Sequence, residues 1–244
     1  MMFDAAIMAG GRVDGEFAAR IGTSVKALAT VRGSTLLGLM IEALRVAGVG
    51  RVAVVGGEEA RTACAHLVER FVDETADGAE NLHRALLAWP GAPVVLASSD
   101  LPYVHGDDVR EFLSRAEPAA IGFPLANASE YERKFPESAP HSTALRGDRV
   151  VNGSLCYVPP GSGPLLDAVA QKFFRVRKNA LRMALLLGPN LLLRYAMKRL
   201  TIADLERRAE RMVGVRATAV GNSAPSLCYD IDSIEDYAYA LEHS

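Results

Sequence analysis

Along the first half of the chain, short continuous apolar runs alternate with segments whose apolar residues recur at helical spacing. "FDAAIM" (3–8) reads as a strand that ends in Ala9-Gly10-Gly11, and "STLLGLMIEALRVAG" (34–48) reads as a helix with a Ser/Thr start and a Gly stop. "RVAVVGG" (51–57) and "RFVDE" (70–74) give two more strands, and "AENLHRALLAW" (79–89) a second helix. "APVVLASSD" (92–100) is a further strand, followed by the helix "GDDVREFLSRA" (106–116) and a strand in "PAAIGFPLA" (118–126). Runs that are apolar throughout, rather than on alternate residues, predict strands buried on both faces, hence a mostly parallel sheet between two layers of helices. In such sheets ligands bind beyond the C-terminal strand ends. That rule singles out Gly10-Gly11, Gly56-Gly57 and Asp100 as neighbours in one crevice.

The pattern changes after residue 126. "NASEYERKFPESAPHST" (127–143) is polar and turn-rich and reads as a loop or lid. "RVVNGSLCYVPPGSG" (149–163) reads as one strand with a glycine kink, and 164–213 is strongly helical. "GVRATAV" (214–220) and "SLCYDID" (226–232) return to strand, and "SIEDYAYALEHS" closes the chain as a helix capped by Ser233. There is no internal repeat. The expected organisation is a single domain over 1–244 with a helical insert at about 164–213.

Composition narrows the class without choosing a chemistry. The 244 residues are 50% hydrophobic with a formal net charge of −2, so no basic excess points to nucleic acid. Cys64, Cys156 and Cys228 are too few and too scattered for a disulfide framework or a CxxC metal site, which suggests free thiols in a reducing compartment. The N-terminus has no basic n-region, and no run of about 20 uncharged apolar residues occurs, so the expected location is cytoplasmic.

Three stretches could carry chemistry. In "AIMAGGRVDGEFAARIGTSVKAL" (6–28), Gly10-Gly11 lets backbone N–H groups approach an anion, and Arg20 and Lys26 follow within a long βα connection. Neither G-x-G-x-x-G nor G-x-x-x-x-G-K-[ST] is present, and a purely structural loop fits equally well. Asp100, at the end of the most apolar strand and just before Leu101-Pro102, is a natural Mg²⁺ ligand or else a turn cap. In "YDIDSIEDYAYAL" (229–241), Asp230 and Asp232 would share one face of a short strand, supplying a second carboxylate or else a capping cluster. The histidines show no metal-ligand spacing, and Trp89 is most simply packing.

Taken together, "MAGGR…RIGTSVKAL…ASSDLPYV…NGSLCYVPP…YDIDSIEDYAYAL" resembles the MobA-like nucleotidyltransferases of the GT-A-type Rossmann-like fold, over most of 3–160 and again over 214–241. The resemblance implies a three-layer α/β fold with a mostly parallel mixed sheet. It implies a Mg²⁺-dependent enzyme that moves a nucleoside monophosphate from an NTP to a phosphorylated small-molecule acceptor, releasing pyrophosphate. Residue by residue, it assigns the nucleotide to Ala9, Gly10, Gly11, Arg12 and Lys26, with Gly78 and Asn81 near the base. Lys26, Arg20 and Asp100 become the catalytic residues, Asp100 and Asp232 the metal ligands, and Asn152 and Gly153 the acceptor side. Between Gly11 and Arg20 the chain carries extra residues, which places Arg12 to take over the early phosphate contact. A GT-A glycosyltransferase and a non-catalytic nucleotide-binding protein are the alternatives. The missing glycine fingerprint counts against a dinucleotide-dependent oxidoreductase.

Residues 171–200, "QKFFRVRKNALRMALLLGPNLLLRYAMKRL", fall outside this template. Phe173, Phe174, Leu181 and Leu185–Leu187 are bordered by Lys172, Arg175, Arg177, Lys178, Arg182, Arg194, Lys198 and Arg199. Three readings compete: a helical subdomain packed on the core, a membrane-surface face set against anionic lipid or an acceptor with an apolar tail, and a dimer interface. Monomer and homodimer both stay open.

Overall fold

In the computed structural model, the described residues are 2–138, 140–176, 179, 185–186 and 188–243, with the side chain of Phe174 excepted. The sequence-derived insert positions Arg177, Lys178, Leu181, Arg182 and Leu187 therefore lie outside the described residues.

The parallel half of the sheet follows the expected strands closely. It consists of β1 (Asp4–Met8), β4 (Val52–Gly56), β5 (Arg70–Asp73) and β6 (Val94–Ser98), in the spatial order β5-β4-β1-β6. Between β1 and β4 come α1 (Gly15–Ile21), a small hairpin of β2 (Thr30–Val31) and β3 (Ser34–Thr35), and α2 (Leu36–Val46). Helices α3 (Glu58–Cys64) and α4 (Gly78–Leu86) make the remaining crossovers of this half, and α5 (Gly106–Arg115) leads out of it after β6.

Successive side chains of a strand point to opposite faces, so a doubly covered strand needs apolar residues at every position. Ala5, Ile7, Val52, Val54, Val95 and Ala97 pack on one face with Met40, Leu44 and Phe112 of α2 and α5. Ala6, Ala53, Val55, Val94 and Leu96 pack on the other face with Ala85, Leu86 and Trp89. The indole of Trp89 donates a 2.8 Å hydrogen bond to the carbonyl of Ala5, which satisfies its buried N–H.

The sheet continues as β10-β7-β9-β8, with β11 also paired to β7. Here β7 is Ile121–Asn127, β8 Ser142–Leu145, β9 Asp148–Asn152, β10 Leu155–Val158 and β11 Ala217–Val220. Strand β10 is antiparallel to β6 and β7, and β9 is antiparallel to β7, so the sheet is mixed. Strand β7 forks: Ile121–Pro124 pairs with β11, and Leu125–Asn127 pairs with β9.

Four expectations are corrected. The loop expected over 127–143 contains α6 (Ala128–Lys134) and the start of β8. Asn127 caps this helix by accepting from the Ser129 amide at 2.9 Å, and Tyr131 and Phe135 are buried against Tyr229. The kinked strand over 149–163 is divided at Gly153-Ser154 into β9 and β10, both antiparallel to β7, with β9 also paired to β8 and β10 to β6. The long connection from Gly11 to Lys26 holds α1, which buries Phe17 against Tyr237. The strand expected over 226–232 is a 3-10 turn at Pro225–Leu227 followed by irregular chain, so Asp230 and Asp232 do not share a strand face.

The helical stretch after β10 contains α7 (Gly163–Val176), α8 (Pro189–Ala196) and α9 (Ile202–Val213). The closing helix α10 (Ile234–Glu242) is capped by Ser233 through a capping box with Asp236. No helix of the described residues is long and apolar enough to cross a membrane.

Gly153 is required where the forked half meets the turn at 225–228. A Cβ built there would lie 2.6 Å from Cγ of Pro124 and 2.7 Å from the carbonyl oxygen of Leu227. Gly153→Ala should therefore cost about 1–3 kcal/mol of unfolding free energy, measured by urea titration. An unchanged midpoint would contradict this packing.

Candidate active site

The strand register brings the chemistry to one edge. Met8 sits beside Val55 and Ser98, and Gly56 beside Asp73, so the segments leaving β1, β4, β5 and β6 emerge together. Lys26 is carried into this edge by the loop after β1. Its amide donates 3.0 Å to the carbonyl of Gly11, and Arg12 bridges to Val25 beside it. The excursion through α1 is thus closed at its base, and Lys26 begins a 3-10 turn facing the strand ends.

The Lys26 ammonium ion pairs with Asp100 Oδ2 at 2.5 Å and Asp232 Oδ1 at 3.3 Å, and donates to the carbonyl of Ile231 at 2.8 Å. The Lys26 and Asp100 side chains are only 15% and 10% exposed, whereas Asp232 is 59% exposed. Burial works to lower the Lys26 pKa, but the adjoining carboxylates, Asp100 foremost, outweigh it and raise the pKa above its ordinary value. Asp100 is held in turn by the Ser98 hydroxyl, which donates to Oδ1, and its carbonyl accepts from the Ile231 amide at 3.1 Å.

A third carboxylate completes the group. Asp230 accepts from the Ser154 hydroxyl at 3.3 Å. Burial, then Asp232 and Asp100, pushes its pKa up to about 6. A cavity of about 290 Å³ opens here, lined by Asn152, Ser154, Asp230, Asp232, Tyr131 and His141 among others. Among the described residues, no three His, Cys, Asp or Glu side chains are grouped as a ready metal set. The Lys26 ammonium instead lies between Asp100 and Asp232.

The remaining sequence-derived residues fall into separate groups. Ala9 is buried and its amide is spent on the Val55 carbonyl at 2.8 Å. A Cβ on Gly10 would collide with the Glu74 carboxylate, and one on Gly57 would lie 2.6 Å from it, so Glu74 fills the space these glycines leave. Arg12 is ion-paired with Glu74. Gly11 is exposed, and a Cβ there would stand 3.4 Å from Cε of Lys26. Gly78 starts α4, capped by Asp77, which accepts from the Ala79 amide at 2.9 Å. Asn81 is buried and its side chain is engaged with Thr75, accepting from its amide at 2.7 Å and donating to its carbonyl at 2.9 Å.

Arg20 sits exposed in the last turn of α1, with no ion-pair partner among the described residues. Asn152 is exposed and lines the cavity, and Gly153 is buried beneath it. Lys26, Asp100 and Asp232 are thus brought into direct contact, and Arg12 joins a second pair at the same edge. Glu74 was missed by sequence reading, although the strand-end rule applied to "RFVDE" picks it out as the residue after β5.

The described geometry is that of a mixed-sheet α/β fold with a charged site at its C-terminal strand edge, and solved structures share the fold. A hypothetical transferase from Thermus thermophilus is 29% identical with a TM-score of 0.87, covering 97% of this chain and 99% of that one. The CTP:phosphocholine cytidylyltransferase of Streptococcus pneumoniae is 12% identical with a TM-score of 0.61, covering 100% of this chain and 99% of that one. A Mycobacterium tuberculosis protein solved in complex with manganese is 18% identical with a TM-score of 0.51, covering 100% of each chain. The last two likenesses speak to the fold alone. Among curated proteins no significant match was found. The family model described as the MobA-like NTP transferase domain matches residues 5–213, and the chain belongs to that family.

The elevated Asp230 pKa has a measurable consequence in metal-free buffer. The folded protein keeps a proton that the unfolded chain, with a value near 3.8, releases, up to about pH 6. The stability this group contributes is full below the lower value and is lost as pH rises through the higher one. Across that window Asp230→Asn should gain on wild type by on the order of 2 kcal/mol in urea titrations with chelator. Parallel stability curves for the two proteins would contradict the assignment.

Proposed function

We propose that the protein is a Mg²⁺-dependent nucleotidyltransferase that joins the nucleoside monophosphate of an NTP to a phosphorylated small-molecule acceptor, with release of pyrophosphate. The observation that carries this reading is Lys26 held between Asp100 and Asp232 beside the Gly10-Gly11 loop. We assign the work to one domain, with 164–213 as an insert.

In the proposed reaction an acceptor phosphate oxygen attacks the α-phosphorus and pyrophosphate leaves from the opposite side. Such a transfer needs alignment and charge neutralisation more than a proton relay. Lys26 neutralises charge on the α-phosphate as it develops, and the carboxylates around it hold it protonated for that task. Gly11, exposed beside Lys26, admits the triphosphate, joined by Gly10 once the Arg12–Glu74 pair opens, with Arg12 and Arg20 as the cationic contacts. Gly78 borders the base, backed by the buried Ala9 and Asn81. Asn152, backed by the buried Gly153, forms the acceptor wall of the cavity lined by Ser154 and Asp230.

The residues present fit a divalent ion. Asp100 and Asp232 share a single ammonium, with Asp230 nearby, an oxygen-rich site with more negative than positive charge, which suits a hard cation. Asp100 and Asp232 would hold Mg²⁺, which supplies Lewis-acid stabilisation of phosphate charge when bound.

The test is pyrophosphate release from each NTP with Mg²⁺ and a panel of phosphorylated acceptors. CTP with phosphocholine is the first pair to try, given the Streptococcus pneumoniae enzyme. Asp100→Asn and Lys26→Ala should each lower turnover by about 100-fold or more. Wild-type release no greater than that of Asp100→Asn across the panel would remove the reading.

A further inference from the structure

Helix α8 is half apolar, yet none of its residues is buried. Every residue from Leu193 to Arg199 is exposed. Leu193 and Met197, 60% and 50% exposed, are four residues apart and share the outward face. Of the eleven exposed large hydrophobic residues among those described, six lie between 165 and 197: Leu165, Phe173, Leu185, Leu193, Tyr195 and Met197. An apolar concentration of this kind on one short segment marks a surface that meets something other than water.

Charge decides what that is. Residues 171–200 hold eight of the chain's 27 Lys and Arg and none of its 29 Asp and Glu. The segment therefore carries +8, while the rest of the chain carries −10. A second copy docked by two-fold symmetry would set this patch against itself, placing like charges face to face. A layer of anionic headgroups over hydrocarbon matches both halves of the pattern, since basic side chains meet phosphates while apolar ones enter the interface.

A recess at the foot of α8 supports the same occupant. It measures about 260 Å³ and is lined by Gly188, Pro189, Arg194, Arg207, Arg208 and Arg211, together with Asp204. Asp204 ion-pairs with both Arg194 and Arg207, leaving one positive charge over. Arg208 donates to the Leu186 carbonyl, but its Nε is buried with no hydrogen-bond partner, and Arg211 has no ion pair among the described residues. Two guanidinium groups are thus left to receive an anion next to the exposed apolar helix.

We propose that residues 165–211 seat the protein on an anionic phospholipid surface. Leu193 and Met197 enter the headgroup layer, and Arg208 and Arg211 take lipid phosphates. Co-sedimentation with vesicles tests this directly. The full chain should pellet with phosphatidylcholine vesicles containing phosphatidylglycerol, stay in solution with pure phosphatidylcholine, and be released by salt. The pairs Leu193→Ser with Met197→Ser, and Arg208→Gln with Arg211→Gln, should each weaken partition by roughly tenfold. Their melting temperatures and pyrophosphate release from soluble substrates should stay at wild-type values. Equal pelleting with both vesicle types, or with neither, overturns the proposal. A concentration-dependent dimer that the Leu193→Ser, Met197→Ser pair dissociates would also overturn it, assigning the face to a second copy.

Discussion

The contact on which the site depends is the shielded ion pair between Lys26 and Asp100. Burying an ammonium and a carboxylate is costly, and the pair survives because the geometry is close and further partners complete it. Lys26 adds Asp232 and the Ile231 carbonyl, while Asp100 adds the Ser98 hydroxyl. The direction of the Lys26 shift shows which effect wins, since desolvation alone would depress its pKa and the carboxylates reverse it. The pair also joins three distant stretches of chain: the loop after β1, the end of β6 and the irregular segment before α10.

This arrangement has an electrostatic remainder. Two carboxylates contact the one ammonium and Asp230 stands close by, where burial first and then the charges of Asp232 and Asp100 push its pKa up to about 6. A second acid–base couple stands alongside, with Arg12 against Glu74 in the space left by Gly10 and Gly57. The edge of the sheet thus holds alternating fixed charges in a shape set by strand register, which is the kind of preorganised environment that phosphate chemistry exploits.

Much of this was legible in the residue pattern, and the failures have physical causes. The doubly apolar runs located β1, β4 and β6 because burial on both faces leaves no other composition available. Asp100 stood out because a charge ends such a run. Glu74 did not, since "RFVDE" is weakly apolar and its significance comes from parallel pairing with β4, a long-range fact. Helix α6 was hidden in a polar stretch, because only Ala128, Tyr131 and Phe135 face inward and they meet an aromatic cluster built on Tyr229. The placement of Asp230 and Asp232 was misjudged as a strand face because alternation is a local signal. Their true backbone is set by the Pro225 turn and the bond from Ile231 to Asp100. The chain order of the motifs carried the family correctly despite these local errors.

The fork in β7 separates two design problems that are fused in a simple sheet. Its first half joins the doubly covered body through β10 and β11, while its second half alone suspends the β8–β9 hairpin. The β8–β9 hairpin and α6 form a module held by the β7–β9 ladder, by Tyr131 and Phe135 packed on Tyr229, and by Leu145 and Val150 packed on Leu200. Evolution can lengthen, recharge or replace that module without disturbing the register that aligns Lys26 with Asp100. One charged strand edge can in this way be paired with many different neighbouring walls.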